Sequence, residues 1–131
     1  MPDRAFPVIF AEQAAVTARF YESLGFERHL QLPVEGEPGY IGLRRGSHEL
    51  AVVSADWPQQ NYGRTVGEGV RFEMFIYVES VDALVEQLRS ETAVLREAQD
   101  MPWGERVAYV ADPDGNPVAL AGTADVSGSQ F

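Results

Sequence analysis

The sequence of 131 residues contains no cysteine and no lysine, and it lacks any long uninterrupted apolar segment. The absence of cysteine excludes disulfide bonds, a thiolate metal site and a cysteine nucleophile. No stretch approaches the ~20 apolar residues of a membrane-spanning helix. Residues 1–10 lack the basic region and the apolar run of a signal peptide. These absences predict a soluble cytoplasmic protein.

Positive charge is also scarce, because ten basic residues, all of them arginine, stand against 20 acidic residues and the net charge is −10. Binding nucleic acid requires a basic surface that neutralises phosphates, so this balance argues against a nucleic-acid partner. The acidic balance would suit a cationic partner, or it only keeps the protein soluble. Apolar residues make up 45% of the chain, which is enough for the core of one domain.

The chain repeats one pattern, a strand followed by a helix and three strands. In the first copy, over residues 5–55, the predicted elements are a strand at 6–11, a helix at 13–24 and strands at 26–32, 40–44 and 49–53. Val16, Phe20 and Leu24 recur at the spacing of one helix face, and Gly25 ends the helix. Residues 56–69 are rich in glycine and are predicted to be a linker loop.

The second copy covers residues 70–122. Its predicted elements are a strand at 70–78, a helix capped by Ser80 and strands at 94–98, 106–111 and 118–121. The helix has an apolar stripe at positions i, i+3, i+4 and i+7, formed by Val81, Leu84, Val85 and Leu88. A sharp turn, Asp112-Pro-Asp-Gly-Asn116, joins the last two strands. Residues 123–131 are predicted to be a frayed tail.

This repetition predicts an α+β fold made of two tandem βαβββ modules. Each module is a sheet with one helix on one face, which leaves the other face bare. Two such sheets would form a partial barrel whose concave cleft can hold a ligand. The two halves of one cleft can come from one chain or from the two chains of a homodimer, and the sequence leaves both arrangements open.

Three segments resemble the glyoxalase, bleomycin-resistance and extradiol dioxygenase (vicinal oxygen chelate) superfamily. Residues 7–26 contain the Phe-Tyr and Leu-Gly-Phe motifs that are typical of its first strand and helix. Residues 103–116 contain Trp-Gly-Glu-Arg and Asp-Pro-Asp-Gly-Asn, and this form, like residues 40–46, is closest to the drug-binding bleomycin-resistance branch. Because one scaffold hosts many activities, the resemblance is more specific for the fold than for the function.

Metal-dependent members of this superfamily coordinate a divalent ion through four strand positions, which here correspond to Phe6, Glu49, Glu73 and Ala119. Phenylalanine and alanine have no lone pair to donate, and two carboxylates fall short of the three or more protein ligands of a catalytic metal. His29 is expected outside the ligand strands, and alternation turns His48 away from Glu49. The resemblance therefore implies a protein without a metal or another cofactor.

The vacated site is predicted to be an aromatic cleft with some acid, which suits a flat or cationic organic molecule. Strand alternation and the adjoining loops define the expected ligand-binding residues: Phe6, Tyr40, Glu49, Trp57, Tyr62, Glu73, Phe75, Tyr77, Met101, Trp103 and Ala119.

Each aromatic residue of this set also has a structural interpretation, and the two glutamates have several roles open to them. Phe6 and Phe75 would fill a barrel interior, and a tryptophan such as Trp57 would cap the barrel or a dimer contact. Glu49 and Glu73 would be a solvated pair, a countercharge for a cationic ligand, or an acid–base pair in which one pKa is raised.

The resemblance favours a non-catalytic binding protein that sequesters an antibiotic or a related natural product and acts as a homodimer. The alternative is a metal-dependent lyase, isomerase or dioxygenase of the same fold, which would use Glu49 and Glu73 with His48 or with a water-rich shell. A metal-free enzyme with a glutamate base is a third hypothesis.

Overall fold

The structure, a computed structural model, describes residues 2–124. The predicted tail falls mostly outside the described residues, although Thr123 is the last residue of a strand. The chain divides into two compact units with the boundary between Gly67 and Glu68. Each unit holds one βαβββ module with a four-stranded, open sheet, so the α+β class and the internal repeat are confirmed. No helix in the described part of the chain is long and apolar enough to cross a membrane.

Module one precedes Gly67. Its elements are β1 (Val8–Ala11), α1 (Ala14–Glu22), β2 (Glu27–Leu32), β3 (Tyr40–Arg45), β4 (His48–Ser54) and α2 (Trp57–Tyr62). The strand order is β1-β4-β3-β2, and β1 is parallel to β4 while the other pairs are antiparallel. The helix α2 lies within the segment that was predicted to be a loop. Pro58 suits its first turn, and Gly63, with a φ of 73°, ends it.

The helix α1 buries a different face from the predicted one. Ala14, Thr17, Ala18 and Tyr21 are buried. Of the predicted stripe, Leu24, which follows the helix, is buried, whereas Val16 and Phe20 are only half-buried. The buried set also follows the i, i+3, i+4, i+7 pattern of a helix on a sheet. Periodicity alone could not choose between two overlapping stripes, because alanine and tyrosine carry a weaker apolar signal than valine and phenylalanine.

Module two begins at Glu68. Its elements are β5 (Met74–Tyr77), α3 (Val81–Leu88), β6 (Val94–Asp100), β7 (Glu105–Ala111) and β8 (Pro117–Thr123), with the strand order β5-β8-β7-β6. The strand predicted at 70–78 is shorter than expected, because it pairs only with β8 and only over four residues. Val81, Val85 and Leu88 of the predicted α3 stripe are buried, and Leu84 is half-buried. The predicted cap is confirmed, since the Ser80 hydroxyl accepts a hydrogen bond from the Ala83 N–H (3.2 Å).

Contacts with the helices identify the two faces of each sheet. In module one Arg28 of β2 bonds Glu22 of α1 (3.1 Å), and it lies opposite Leu43 of β3, which lies opposite Leu50 of β4. The adjacent residues Arg44 and Glu49 therefore point away from α1. In module two Arg106 of β7 bonds Asp82 of α3 (2.9 Å), so Glu105 and Val107 point away from α3. We call the face turned away from the helix the distal face of each module.

Candidate functional site

Two aromatic side chains of β5 lie on the distal face of module two. Phe75 and Tyr77 are 43% and 54% exposed, whereas Ile76 between them is 4% exposed. The alternation predicted for this strand is therefore present. The two ring centres are 5.5 Å apart and their planes are inclined by 50°, so they form one continuous aromatic surface.

An apolar floor adjoins these rings. Val107, Ala119 and Ala121 are buried, and Met101 and Tyr109 pack against them. Ala119 is the register partner of Phe75 in β5 and of Tyr109 in β7. Because its side chain is only a methyl group, it leaves the neighbouring rings room on both sides. The distal face of module two thus brings together five of the predicted residues: Phe75, Tyr77, Met101, Trp103 and Ala119.

A carboxylate that the sequence prediction missed lies beside this aromatic surface. Glu105 accepts a hydrogen bond from the Tyr77 hydroxyl at Oε2 (2.6 Å) and one from the Trp103 indole N–H at Oε1 (2.7 Å). The Glu105 carboxylate, by accepting this bond, raises the pKa of Tyr77. Alternation from Val107 and Tyr109 would have identified Glu105, because all three positions share one face of β7.

Glu73, the acidic residue that was predicted for this module, lies just before β5 and is exposed. The hydrogen bonds described for the Tyr77 hydroxyl and the Trp103 indole go to Glu105. Glu105 is therefore a second acid to consider beside Glu73 in this module.

The distal face of module one has a different character, because ion pairs dominate it. Glu49 of β4 receives two hydrogen bonds from the Arg4 guanidinium, from Nε to Oε2 (2.8 Å) and from Nη2 to Oε1 (2.7 Å). The same guanidinium lies 4.9 Å from the centre of the Phe6 ring. His29, which was expected away from the ligand positions, places Nε2 at 3.8 Å from Glu49 Oε1.

Arg4 dominates the electrostatic environment of Glu49. The hydrogen bonds from Arg4 hold the pKa of Glu49 below its usual range, and the charges of Arg4 and Arg44 act in the same direction. An acid–base pair would require a raised pKa at one carboxyl, and the environment of Glu49 does the opposite.

We expect this ion pair to make stability depend on pH. A carboxyl whose pKa is depressed in the folded state stabilises the protein above its unfolded-state pKa, and this contribution is lost as the pH falls through the folded-state value. The difference in unfolding free energy between wild type and Glu49→Gln should therefore shrink from neutral pH to strongly acidic pH. Urea denaturation across this range measures it, and a difference that stays constant would contradict the ion pair.

The remaining predicted aromatics lie in module one. The Tyr40 and Trp57 rings pack at 5.6 Å between centres, and both side chains are half-buried. Trp57 is the first residue of α2 and Tyr40 is the first residue of β3, so this contact packs the short helix against the start of β3. Tyr62, on the last turn of α2, is 57% exposed.

The donor atoms do not fit the metal that the fold implies. Phe6 and Ala119 have no donor atom, and Glu49 is already bonded by Arg4. Within residues 2–124, no group of three or more His, Cys, Asp or Glu side chains gathers as a metal ion would require.

Comparison with known proteins places the chain in a family. The model of the glyoxalase/bleomycin resistance protein/dioxygenase superfamily matches residues 5–120. A glyoxalase-related enzyme from Fulvimarina pelagi is similar in structure, with 26% identity and a TM-score of 0.73 over 94% of this chain and 89% of that one. A glyoxalase/bleomycin resistance protein/dioxygenase family enzyme from Burkholderia phytofirmans PsJN has 17% identity and a TM-score of 0.77, with coverages of 91% and 97%.

A third similar structure is the lactoylglutathione lyase from Agrobacterium tumefaciens, with 20% identity, a TM-score of 0.67 and coverages of 92% and 94%. No curated protein matches the chain significantly in sequence. The matched family model spans both βαβββ modules, in agreement with the repeat and the sheets described above. The chain belongs to the glyoxalase/bleomycin resistance protein/dioxygenase superfamily.

Proposed function

We propose that the protein binds a small organic molecule that has both an aromatic ring system and a positive charge, and that it sequesters this molecule without transforming it. An antibiotic or a related natural product is the class of ligand that we infer, with resistance as the outcome. The observation that supports this function best is the Glu105 carboxylate, held by Tyr77 and Trp103 beside exposed rings.

The exposed rings would bind the aromatic part of the ligand. Phe75, Tyr77 and Trp103 are 43%, 54% and 60% exposed, and they lie beside the buried floor of Val107, Ala119 and Ala121. Exposed apolar patches of this kind mark binding sites in soluble proteins. A flat ligand would gain both burial of apolar area and stacking, which adds about 0.5–1.5 kcal/mol per aromatic pair.

Glu105 would bind the positively charged group of the ligand. A carboxylate has about four lone-pair positions, and the Tyr77 hydroxyl and the Trp103 N–H occupy two of them. The remaining positions can accept hydrogen bonds from an ammonium or amidinium group of a ligand. The same group would gain from the faces of the neighbouring rings, because aromatic rings attract cations. The acidic balance of the chain, with a net charge of −10, favours the approach of a cation.

The same-fold metalloenzyme is the weaker hypothesis. Its expected ligands included Glu49 and His48, and Glu49 is engaged by Arg4 through both carboxylate oxygens. In the register of β3 with β4, Glu49 lies opposite Arg44 and His48 lies opposite Arg45. Successive side chains of a strand point to opposite faces, so His48 points away from Glu49.

The proposal also includes that the chain forms a homodimer and acts in the cytoplasm. Sedimentation equilibrium of the purified chain would test the homodimer.

Proflavine, a planar aromatic cation, provides a direct test of the ligand class. We expect it to quench tryptophan fluorescence in a saturable manner and to stabilise the fold by about 2.7 kcal/mol at about 100 times its Kd. Phe75→Ala should weaken binding, whereas Val34→Ala, which removes an exposed apolar side chain in module one, should not.

Two results would count against sequestration of a cationic aromatic molecule. The first is the absence of both quenching and thermal stabilisation across proflavine and a panel of cationic aromatic antibiotics. The second is chemical conversion of a bound antibiotic, because a sequestering protein must release the ligand intact after denaturation. Chromatography of the released ligand distinguishes binding from catalysis.

A further inference from the structure

We propose that the distal face of module one contains a second binding site, which takes an anionic oxygen group, a carboxylate or a phosphate, through Arg4, His29 and Arg44. All three residues belong to module one, whereas the residues of the aromatic surface belong to module two. Three observations support it: two oriented guanidinium groups, an imidazole N–H that has no acceptor within bonding distance among the described residues, and an Arg44 side chain that forms no ion pair among them.

The Arg4 guanidinium is held in one orientation and keeps free donors. It uses Nε and Nη2 to bind the two oxygens of Glu49, and it stacks on the Phe6 ring at 4.9 Å. A guanidinium has five N–H donors, so the Nη1 donors are not used by this pair. Because Glu49 and Phe6 immobilise the side chain in advance, a ligand would not have to order it.

The Arg44 guanidinium is oriented by His29, with Arg44 Nη2 at 3.2 Å from His29 Nδ1. A guanidinium can only donate, so His29 Nδ1 is the acceptor and the ring proton lies on Nε2. The Nε2 atom is 3.8 Å from Glu49 Oε1, which is too long for a hydrogen bond. The His29 N–H is therefore available to an oxygen of a ligand.

The backbone beneath His29 is adapted to its ring. A β-bulge between Arg28 and Leu30 interrupts the pairing of β2 with β3, and His29 is the unpaired residue. Bulges redirect a side chain in this way and often lie next to functional sites. On β3, Gly42 leaves space for the ring, because a Cβ at this position would lie 3.1 Å from His29 Nε2.

The Arg44 guanidinium is not taken up by the carboxylates of its neighbours. Glu27 and Glu49 lie opposite Arg44 in β2 and β4, so the formal charges of these two acids balance those of Arg4 and Arg44. Within the described residues Arg44 nevertheless forms no ion pair with a carboxylate, and its Nη2 bonds His29 Nδ1 instead. Its remaining N–H donors suit a carboxylate or phosphate oxygen, since charged donors form strong hydrogen bonds with such groups.

Titration of the full chain with inorganic phosphate at constant ionic strength tests this site, and acetate forms a second arm that separates phosphate from carboxylate ligands. We expect saturable changes in the His29 ring and Arg44 Nε NMR signals. Arg44→Gln should weaken phosphate binding by at least about ten-fold, the effect of losing a charged hydrogen-bond donor. Arg45→Gln is the matched control, because it removes the same charge from the next residue of β3, whose side chain lies beside Gly25.

Three outcomes would overturn the proposal: signal changes that do not saturate with either anion, equal losses in the Arg44 and Arg45 variants, or an unchanged affinity in Arg44→Gln. Gly42→Ala is a second variant, since it must displace the His29 ring and should also weaken binding while circular dichroism shows a folded chain. Proflavine binding should be unaffected by Arg44→Gln, so failure of this site and failure of the proposed function are distinguishable.

Discussion

Replacing Asp112 with alanine is expected to lower the free energy of unfolding by about 3 kcal/mol, because the change leaves several buried donors without acceptors. Asp112 is 4% exposed and Asn116 is 2% exposed. The Asp112 carboxylate accepts hydrogen bonds from the N–H groups of Asp114 and Asn116 (both 2.9 Å) and from the Asn116 side-chain amide (3.3 Å). Asn116 in turn accepts a bond from the Arg71 N–H (2.9 Å).

This turn also matters for the candidate site. It joins β7 to β8 and places Ala111 opposite Pro117, so that Tyr109 pairs with Ala119. A register shift of one residue would move every side chain of β7 to the other face of the sheet. Urea denaturation of Asp112→Ala measures the loss, and Asp112→Asn, which keeps one oxygen for the two backbone bonds, should lose less. A loss below about 1 kcal/mol in the alanine variant would show that the turn is not held by this carboxylate.

Replacing Glu105 with glutamine is expected to weaken proflavine binding by about ten-fold or more, because the ligand loses a charged acceptor while the shape of the site is kept. Acridine is neutral near pH 7 and has nearly the same ring system, so its affinity should change little. The comparison separates the electrostatic contribution of Glu105 from the apolar contribution of Phe75 and Tyr77. Fluorescence titration of both dyes with wild type and variant provides the measurement.

A matched control is available in Glu91→Gln, which removes the same charge from an exposed position after α3. An equal loss of proflavine affinity in both variants would mean that only the net charge acts. An equal loss of affinity for both dyes in Glu105→Gln would mean that the site was deformed.

A spectroscopic measurement reports on Glu105 itself. Because its carboxylate raises the pKa of Tyr77, the Tyr77 phenol should ionise at lower pH in Glu105→Gln.

Local patterns predicted much of the aromatic surface. The period of two in β5 correctly separated exposed Phe75 and Tyr77 from buried Ile76. The same rule applied to β7 would have added Glu105, so that omission was not imposed by the sequence. The helix in the linker was not predicted, because no local periodicity indicates the six-residue helix α2. Its first residue, Trp57, packs on Tyr40, which is distant in the sequence.

The polar cluster of module one could not be predicted, because it joins residues that are far apart in the chain. Arg4 meets Glu49 across 45 residues, and no pattern in the sequence specifies which acid an arginine before β1 will reach. His29 reaches this cluster through a bulge and the missing side chain of Gly42. A bulge shifts the alternation by one residue, so the period-two rule fails where it is needed.

The sequence by itself determined the duplicated βαβββ architecture and the presence, at Phe6 and Ala119, of side chains that cannot donate to a metal. These properties depend on periodicity and on side-chain chemistry, which are local. Only the tertiary structure decided that Arg4 occupies the carboxylate of Glu49, and that Tyr77 and Trp103 both donate to the carboxylate of Glu105. Hydrogen bonds and ion pairs act over about 3 Å, so they are set by how strands and loops are brought together in space and not by their spacing along the chain.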